Sequence, residues 1–204
     1  MNDPEPFNPL AISNLAESVV TQLLASAGAP LTDISDIDGA GVYAIYYTGA
    51  TAPFAPYADL ASANVDELTQ PIYVGKAIPA GGRKGVAVAA NSRALVGRLR
   101  EHRDSVVAAN NLAAEDFAAR WLVVEDIWIP LGESLLISRF SPLWNALIDG
   151  FGNHDPGAGR RKGMRSRWDT LHPGRGWADL LPSRPEAAAA LEAEAREYLR
   201  SRLT

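Results

Sequence analysis

The sequence predicts an α+β domain: a small antiparallel sheet of about three strands, flanked by helices. Three observations lead there. The run GAGVYAIYYTG (39–49), bounded by glycines and rich in β-branched and aromatic residues, reads as a buried strand, and PIYVGKA (71–77), followed by a glycine-rich loop, as a second short one. A third such run lies within FAARWLVVEDIWI (117–129). Between and around them, apolar residues recur at helical spacing. The chain has 204 residues, enough to bury a core without disulfide or metal, and no internal repeat is present.

In chain order, residues 12–27 have helical apolar spacing, with Ser13 as a capping candidate. The first strand follows, then an irregular Ala- and Pro-rich connection over 50–70, then the second strand. A glycine-rich stretch, AIPAGGRKG, leads to a helix over 92–109 with Leu95, Leu99, His102 and Val106 on one face. After the third strand, Pro130 suits the start of a helix through LGESLLISRF. SPLWN then runs into DGFGNHDPGAGRRKG, which has no periodicity, and residues 185–203 form an Ala-, Glu- and Arg-rich helix. We divide the chain into an N-terminal helical extension (1–36), a core (37–150), a glycine- and arginine-rich segment (151–180) and a C-terminal helix (181–204).

Cysteine is absent, which excludes disulfides, thiolate zinc sites and cysteine nucleophiles. The opening MNDPEPFNPLAISNL lacks the basic flank and apolar run of a signal peptide, and no apolar run reaches the roughly 18 residues of a membrane span. A soluble, cytoplasmic protein is expected. The net charge is −5, but it is segregated. Residues 76–103 hold Lys76, Arg83, Lys84, Arg93, Arg98, Arg100 and Arg103 against Glu101 alone. Residues 157–177 hold Arg160, Arg161, Lys162, Arg165, Arg167 and Arg175 against Asp169. One reading is a basic, nucleic-acid-binding face on an acidic body; the other is a pair of solvated loops.

The polar residues within these elements suggest chemistry. Alternation along a strand sends Tyr43 to one face and Val42 and Ala44 to the other, and Tyr73 on a neighbouring strand can share the face of Tyr43. Arg98 and His102 are four apart, hence on one side of a helix. Glu133 is placed in the first turn of its helix, where the helix dipole favours a carboxylate. Each residue also has an ordinary reading: tyrosines pack, an Arg–His pair decorates a surface, and an Asn after a Pro-Leu-Trp turn caps it.

Taken together and in order, these motifs resemble the GIY-YIG nuclease superfamily. Gly41-Val42-Tyr43 and Tyr73-Val74-Gly75 are similar to its paired naming motifs, with valine where isoleucine is usual. The longer strings GAGVYAIYYTG, PIYVGKAIPAG, RLREH, PLWN and DGFGNHDPGAGR resemble the branch of restriction endonucleases that cut CCGCGG, over about residues 39–177. The resemblance implies Tyr43 as general base toward water, Arg98 on the phosphate, His102 orienting Tyr43 or relaying its proton, and Tyr73 in support. It implies Glu133 as ligand of one Mg²⁺, with Asn145 bonded to Glu133 or the phosphate. Lys76 would touch phosphate or lower the tyrosine pKa, and Lys76, Arg98 and His102 together would favour the phenolate.

For DNA contact the expected residues are Arg83, Lys84, Arg93, Asn153, His154, Arg160, Arg161 and Lys162, since arginine to guanine is the direct readout of a G·C-rich target. A histidine–metal nuclease site built from His154, Asp155 and His172 has no standard ligand spacing and is set aside. Double-stranded DNA is the implied substrate and a homodimer the simplest match to a palindrome. A protective DNA methyltransferase is the functional partner, without predicted contact. The competing readings are another GIY-YIG nuclease of repair or mobile-element type, and a DNA-binding module that does not cleave.

Overall fold

The computed structural model describes residues 8, 10–49, 54–79, 92–157, 159 and 162–203. Its strands are β1 (Ala29–Pro30), β2 (Gly41–Tyr47), β3 (Pro71–Ala77) and β4 (Phe117–Val123). They form one antiparallel sheet in the order β1-β4-β2-β3. The three strands expected from sequence are all present. The fourth, β1, is two residues long, too short to show any period.

Strand β2 is central and all seven of its residues are buried. Its alternation divides the core. Tyr43, Ile45 and Tyr47 belong to one apolar cluster, and Val42, Ala44 and Tyr46 to the other. Helices α1 (Ile12–Ala25) and α4 (Ile129–Phe140) cover the second face through Val20, Leu23, Ile129 and Leu136. The first face is covered by α2 (Ala58–Ala63), α3 (Ala94–Ala108), α5 (Leu143–Ala146), α6 (Arg167–Leu171) and α7 (Ala188–Leu203). The face of α3 expected to be apolar is the buried one: Leu95, Leu99, His102 and Val106 all lie inside.

Several expectations are corrected. Helix α1 ends at Ala25, and its N-cap is Ala11, without a side-chain bond; Ser13 sits inside the helix. The connection over 50–70 is not wholly irregular, because Pro56 and Tyr57 open a helical turn that leads into α2. Pro130 is in the first turn of α4, but the helix starts at Ile129. Glu133 therefore lies past the first turn, where the dipole contributes less. The short helix α6 has no counterpart in the sequence reading. Its cap, Ser166, accepts a bond from the Asp169 amide and donates its hydroxyl to the Asp169 carboxylate.

Candidate active site

The register of the sheet builds the centre of the site. Tyr43 on β2 faces Gly75 on β3, and Ile45 faces Tyr73. Tyr43 and Tyr73 are thus diagonal neighbours on one face, with ring centroids 6.3 Å apart. Gly75 has no side chain because the Tyr43 ring lies across it: a Cβ there would be 2.6 Å from the phenolic carbon Cζ.

Helix α3 brings the next two groups. His102 is buried, and its Nε2 is 2.6 Å from the Tyr43 hydroxyl. Burial holds the imidazole well below its ordinary pKa of 6.5, with Arg98, His154 and Arg175 adding to the effect. In the tautomer with Nε2 bare, the neutral ring accepts and the phenol donates. Burial also pushes the Tyr43 phenol well above 10; Tyr73 adds to the shift and Arg98 opposes it. The expectation that three cations favour the phenolate is corrected. Desolvation outweighs Arg98, and His102 is not a cation here.

Arg98 lies at the mouth of the site. Its Nη1 donates to Glu101 Oε2 at 2.8 Å and to His154 Nε2 at 2.6 Å, and its Nη2 donates to the Gly152 carbonyl at 2.9 Å. Lys76 lines the same cavity as Arg98, with its Nζ 2.5 Å from Glu133 Oε2. It acts on the carboxylate rather than on a tyrosine. Asn145 does not reach Glu133. Its amide accepts from the Val74 N–H at 2.8 Å and donates to the Val74 carbonyl at 2.9 Å. Strand β3 is an edge of the sheet, so Asn145 supplies the pair of bonds that a further strand would have made.

Tyr43, Tyr73, Lys76, Arg93, Arg98 and Glu133 line one open cavity of about 620 Å³. Beyond Arg98, a second cavity of about 370 Å³ is lined by Asn153, His154, Asp155 and Trp177, among others. Of the residues assigned to DNA contact, Arg93 pairs with Asp38, Asn153 and His154 border these cavities, and Lys162 is exposed. Arg83, Lys84, Arg160 and Arg161 lie outside the described residues.

The basic segments are less free than their composition suggested. Arg103 pairs with Asp104, Arg165 with Asp179, Arg167 with Glu194 and Arg175 with Asp169. His172 is fully buried and bonded to Tyr57 and Asn111. Among the described residues no group of three or more His, Asp or Glu gathers as a metal site.

Residues 35–199 match the family model described as the Eco29kI GIY-YIG domain. The chain belongs to that family. No curated protein matches it. As an Eco29kI-type GIY-YIG domain the chain is of restriction-endonuclease type, which supports DNA nuclease activity and implies DNA binding. Among the described residues no helix is long and apolar enough to cross a membrane. Glu101, Phe151 and Gly152 also border this Eco29kI-type site, and neither periodicity nor charge in the sequence points to them. The glycines of DGFGNH were the one available signal for the last of them.

Proposed function

We propose that this chain hydrolyses phosphodiester bonds of double-stranded DNA at a short palindrome, CCGCGG, with Tyr43 as general base. The observation that carries the reading is the convergence of Tyr43, Tyr73, Arg98 and Glu133 on one open cavity, with His102 directly behind Tyr43.

A phenol pushed above 10 supplies no standing phenolate at neutral pH. Proton transfer is therefore concerted with attack. As the water oxygen bonds to phosphorus and the bond from phosphorus to the leaving oxygen breaks, water gives its proton to Tyr43 Oη, Tyr43 passes its own to the neutral Nε2 of His102, and the leaving oxygen takes a proton from solvent. Arg98 lies where the attacked phosphate's charge would grow, and its planar fork suits two phosphate oxygens. Tyr73 fills the side of Tyr43 and keeps bulk water from its ring.

Glu133 suits a divalent cation. Its carboxylate is part-exposed at the cavity and already faces a cation, the Lys76 ammonium. A single carboxylate is a fitting Mg²⁺ ligand when phosphate and water complete the shell. The ion, when bound, neutralises charge on the leaving oxygen. Lys76, at the same cavity, would be placed to contact phosphate. Arg93, Asn153, His154 and Lys162 contact the DNA, together with Arg83, Lys84, Arg160 and Arg161. Two copies related by a two-fold axis place one site on each strand of the palindrome. A methyltransferase of the same specificity protects the host site, and the protein acts in the cytoplasm.

The test is incubation with Mg²⁺ and two plasmids, one carrying CCGCGG and one lacking it, beside Glu133→Ala. Cutting of the first alone, abolished in the variant, is expected. Cutting at another fixed sequence overturns the target and keeps the chemistry. Binding without cutting, under Mn²⁺ as well as Mg²⁺, leaves a DNA-binding module.

A further inference from the structure

We infer that Arg175 is a positioning residue of the nuclease site: it holds the backbone of residues 150–153 in the shape that fixes Arg98 and His102. The inference rests on the nuclease reading and adds to it a residue that touches neither tyrosine nor the proposed metal ligand.

Arg175 is 5% exposed and its partner Asp169 is 1% exposed. Arg175 Nε donates to Asp169 Oδ1 at 2.7 Å. The rest of the guanidinium is spent on three carbonyls of one loop. Nη1 donates to the Phe151 oxygen at 2.9 Å and the Asn153 oxygen at 3.1 Å, and Nη2 to the Gly150 oxygen at 2.9 Å. The rings of Trp168 and Trp177 lie 4.5 and 4.8 Å from its central carbon. A buried pair of this kind adds little stability over apolar packing. Its effect is geometric: a rigid planar fork draws three carbonyls to one point, which a lysine cannot do.

What the loop does follows from its other contacts. The Phe151 ring stacks on His102 at 4.5 Å and 18°, and meets Tyr73 edge-on at 5.0 Å. The Gly152 carbonyl, between two carbonyls that Arg175 holds, accepts from Arg98 Nη2. Gly152 lets the loop come close to both groups: a Cβ there would lie 2.9 Å from Tyr73 Oη and 3.0 Å from Arg98 Nη2, so a side chain would have to displace their ends. The loop therefore sets the rotamer of Arg98 from one side and closes over the His102 ring from the other. It has no helix or strand of its own to fix it. Beyond its own turn bond, from the Asn153 N–H to the Gly150 carbonyl at 3.1 Å, it is held by Arg175, some 25 residues further along the chain.

The test uses the full chain and Arg175→Lys, which keeps the charge opposite Asp169 but loses the fork. Four quantities are measured: thermal unfolding, DNA affinity in Ca²⁺, single-turnover cleavage of a CCGCGG duplex in Mg²⁺, and the NMR signal of the His102 Cε1 proton, which the Phe151 ring shields. The expected result is a folded protein of nearly unchanged DNA affinity, with cleavage slowed about a hundredfold and the His102 signal moved downfield. A folded variant with the wild-type rate and the wild-type His102 signal overturns the inference. Should Arg175→Lys not fold, Arg175→Gln takes its place: folded and slow with the His102 signal moved supports the inference, folded and fast with that signal unmoved overturns it. Should the wild type cut no DNA, the nuclease reading fails separately, and the His102 signal alone decides, a shift supporting the positioning role and constancy ending it.

Discussion

The Tyr43 hydroxyl and His102 Nε2 stand 2.6 Å apart on two buried side chains that border the cavities of the site. The phenol is too weak an acid to ionise there, and the imidazole too weak a base to be charged before the reaction. Each is left with one useful state, a donor facing an acceptor. The pair is suited to passing a proton along in a single event.

The first prediction concerns pH. A histidine whose pKa is depressed keeps its neutral, accepting form as pH falls through 6.5. The cleavage rate of the wild type should therefore show no acid limb centred near 6.5. His102→Ala should slow single-turnover cleavage by roughly 10²–10⁴-fold while leaving DNA affinity in place. Rates measured from pH 5.5 to 9 check both parts. An acid limb at 6.5 that disappears in His102→Ala would show the imidazole titrating freely, contrary to its burial.

A second histidine governs stability rather than rate. His172 donates from Nδ1 to Asn111 Oδ1 at 2.9 Å and accepts at Nε2 from Tyr57, whose oxygen also receives the Trp144 indole N–H. Burial lowers its pKa to about 3. Below pH 6.5 the unfolded chain takes up a proton that the folded chain refuses, so this contribution is whole above 6.5 and is lost as pH falls toward 3. The loss between pH 7 and pH 5 is about 2 kcal/mol from this residue. Urea unfolding at the two pH values measures it, and His172→Gln should reduce the difference by about that amount. An equal pH dependence in wild type and variant would assign the acid sensitivity to other groups.

The contrast between these histidines marks what a sequence discloses. His102 was legible because α3 is periodic: Leu95, Leu99 and Val106 define a face, and Arg98 lies one turn before His102. The tyrosine strands were legible because glycines bound a β-branched run, and their common face follows from alternation. Asn145 and Arg175 were not legible in their actual roles. Asn145 bonds a strand 71 positions away, and Arg175, in sequence only one charge of a basic segment, is buried on Asp169. Charge is local in sequence, whereas partnership is decided by the fold. The two-residue strand β1 and the four-residue helix α5 were hidden for a different reason, being too short for any period.

Gly75 tests whether the exact place of Tyr43 matters. A Cβ at this position would overlap the Tyr43 ring, 2.6 Å from Cζ, so Gly75→Ala must push the ring off His102 or bend the edge strand. Overpacking of this kind costs about 1–3 kcal/mol of stability. A displacement near 1 Å at the reacting oxygen costs about a hundredfold in rate. Single-turnover cleavage beside a melting curve separates the two effects. A well-folded Gly75→Ala that cuts at the wild-type rate would mean that the Tyr43 hydroxyl tolerates displacement, and would remove it as the base.

Glu101 tests how the site admits DNA. Its carboxylate holds Arg98 Nη1 at 2.8 Å, on the side of the guanidinium that opens to both cavities. An incoming phosphate must compete with this carboxylate for the same donors and approach its negative charge. The pair is partly exposed, so giving it up costs no more than about 1 kcal/mol. Glu101→Gln removes the competing charge and keeps a neutral acceptor for Arg98. DNA should bind about two- to fivefold more tightly at low salt, in line with an exposed ion pair. The gain should shrink as the salt concentration rises and screens the charge that was removed. Affinity titrations at two ionic strengths decide the matter. Weaker binding by Glu101→Gln at both would show that the carboxylate's role is to aim Arg98 at the phosphate, and the guanidinium would then need Glu101 as well as Gly152 to hold its line.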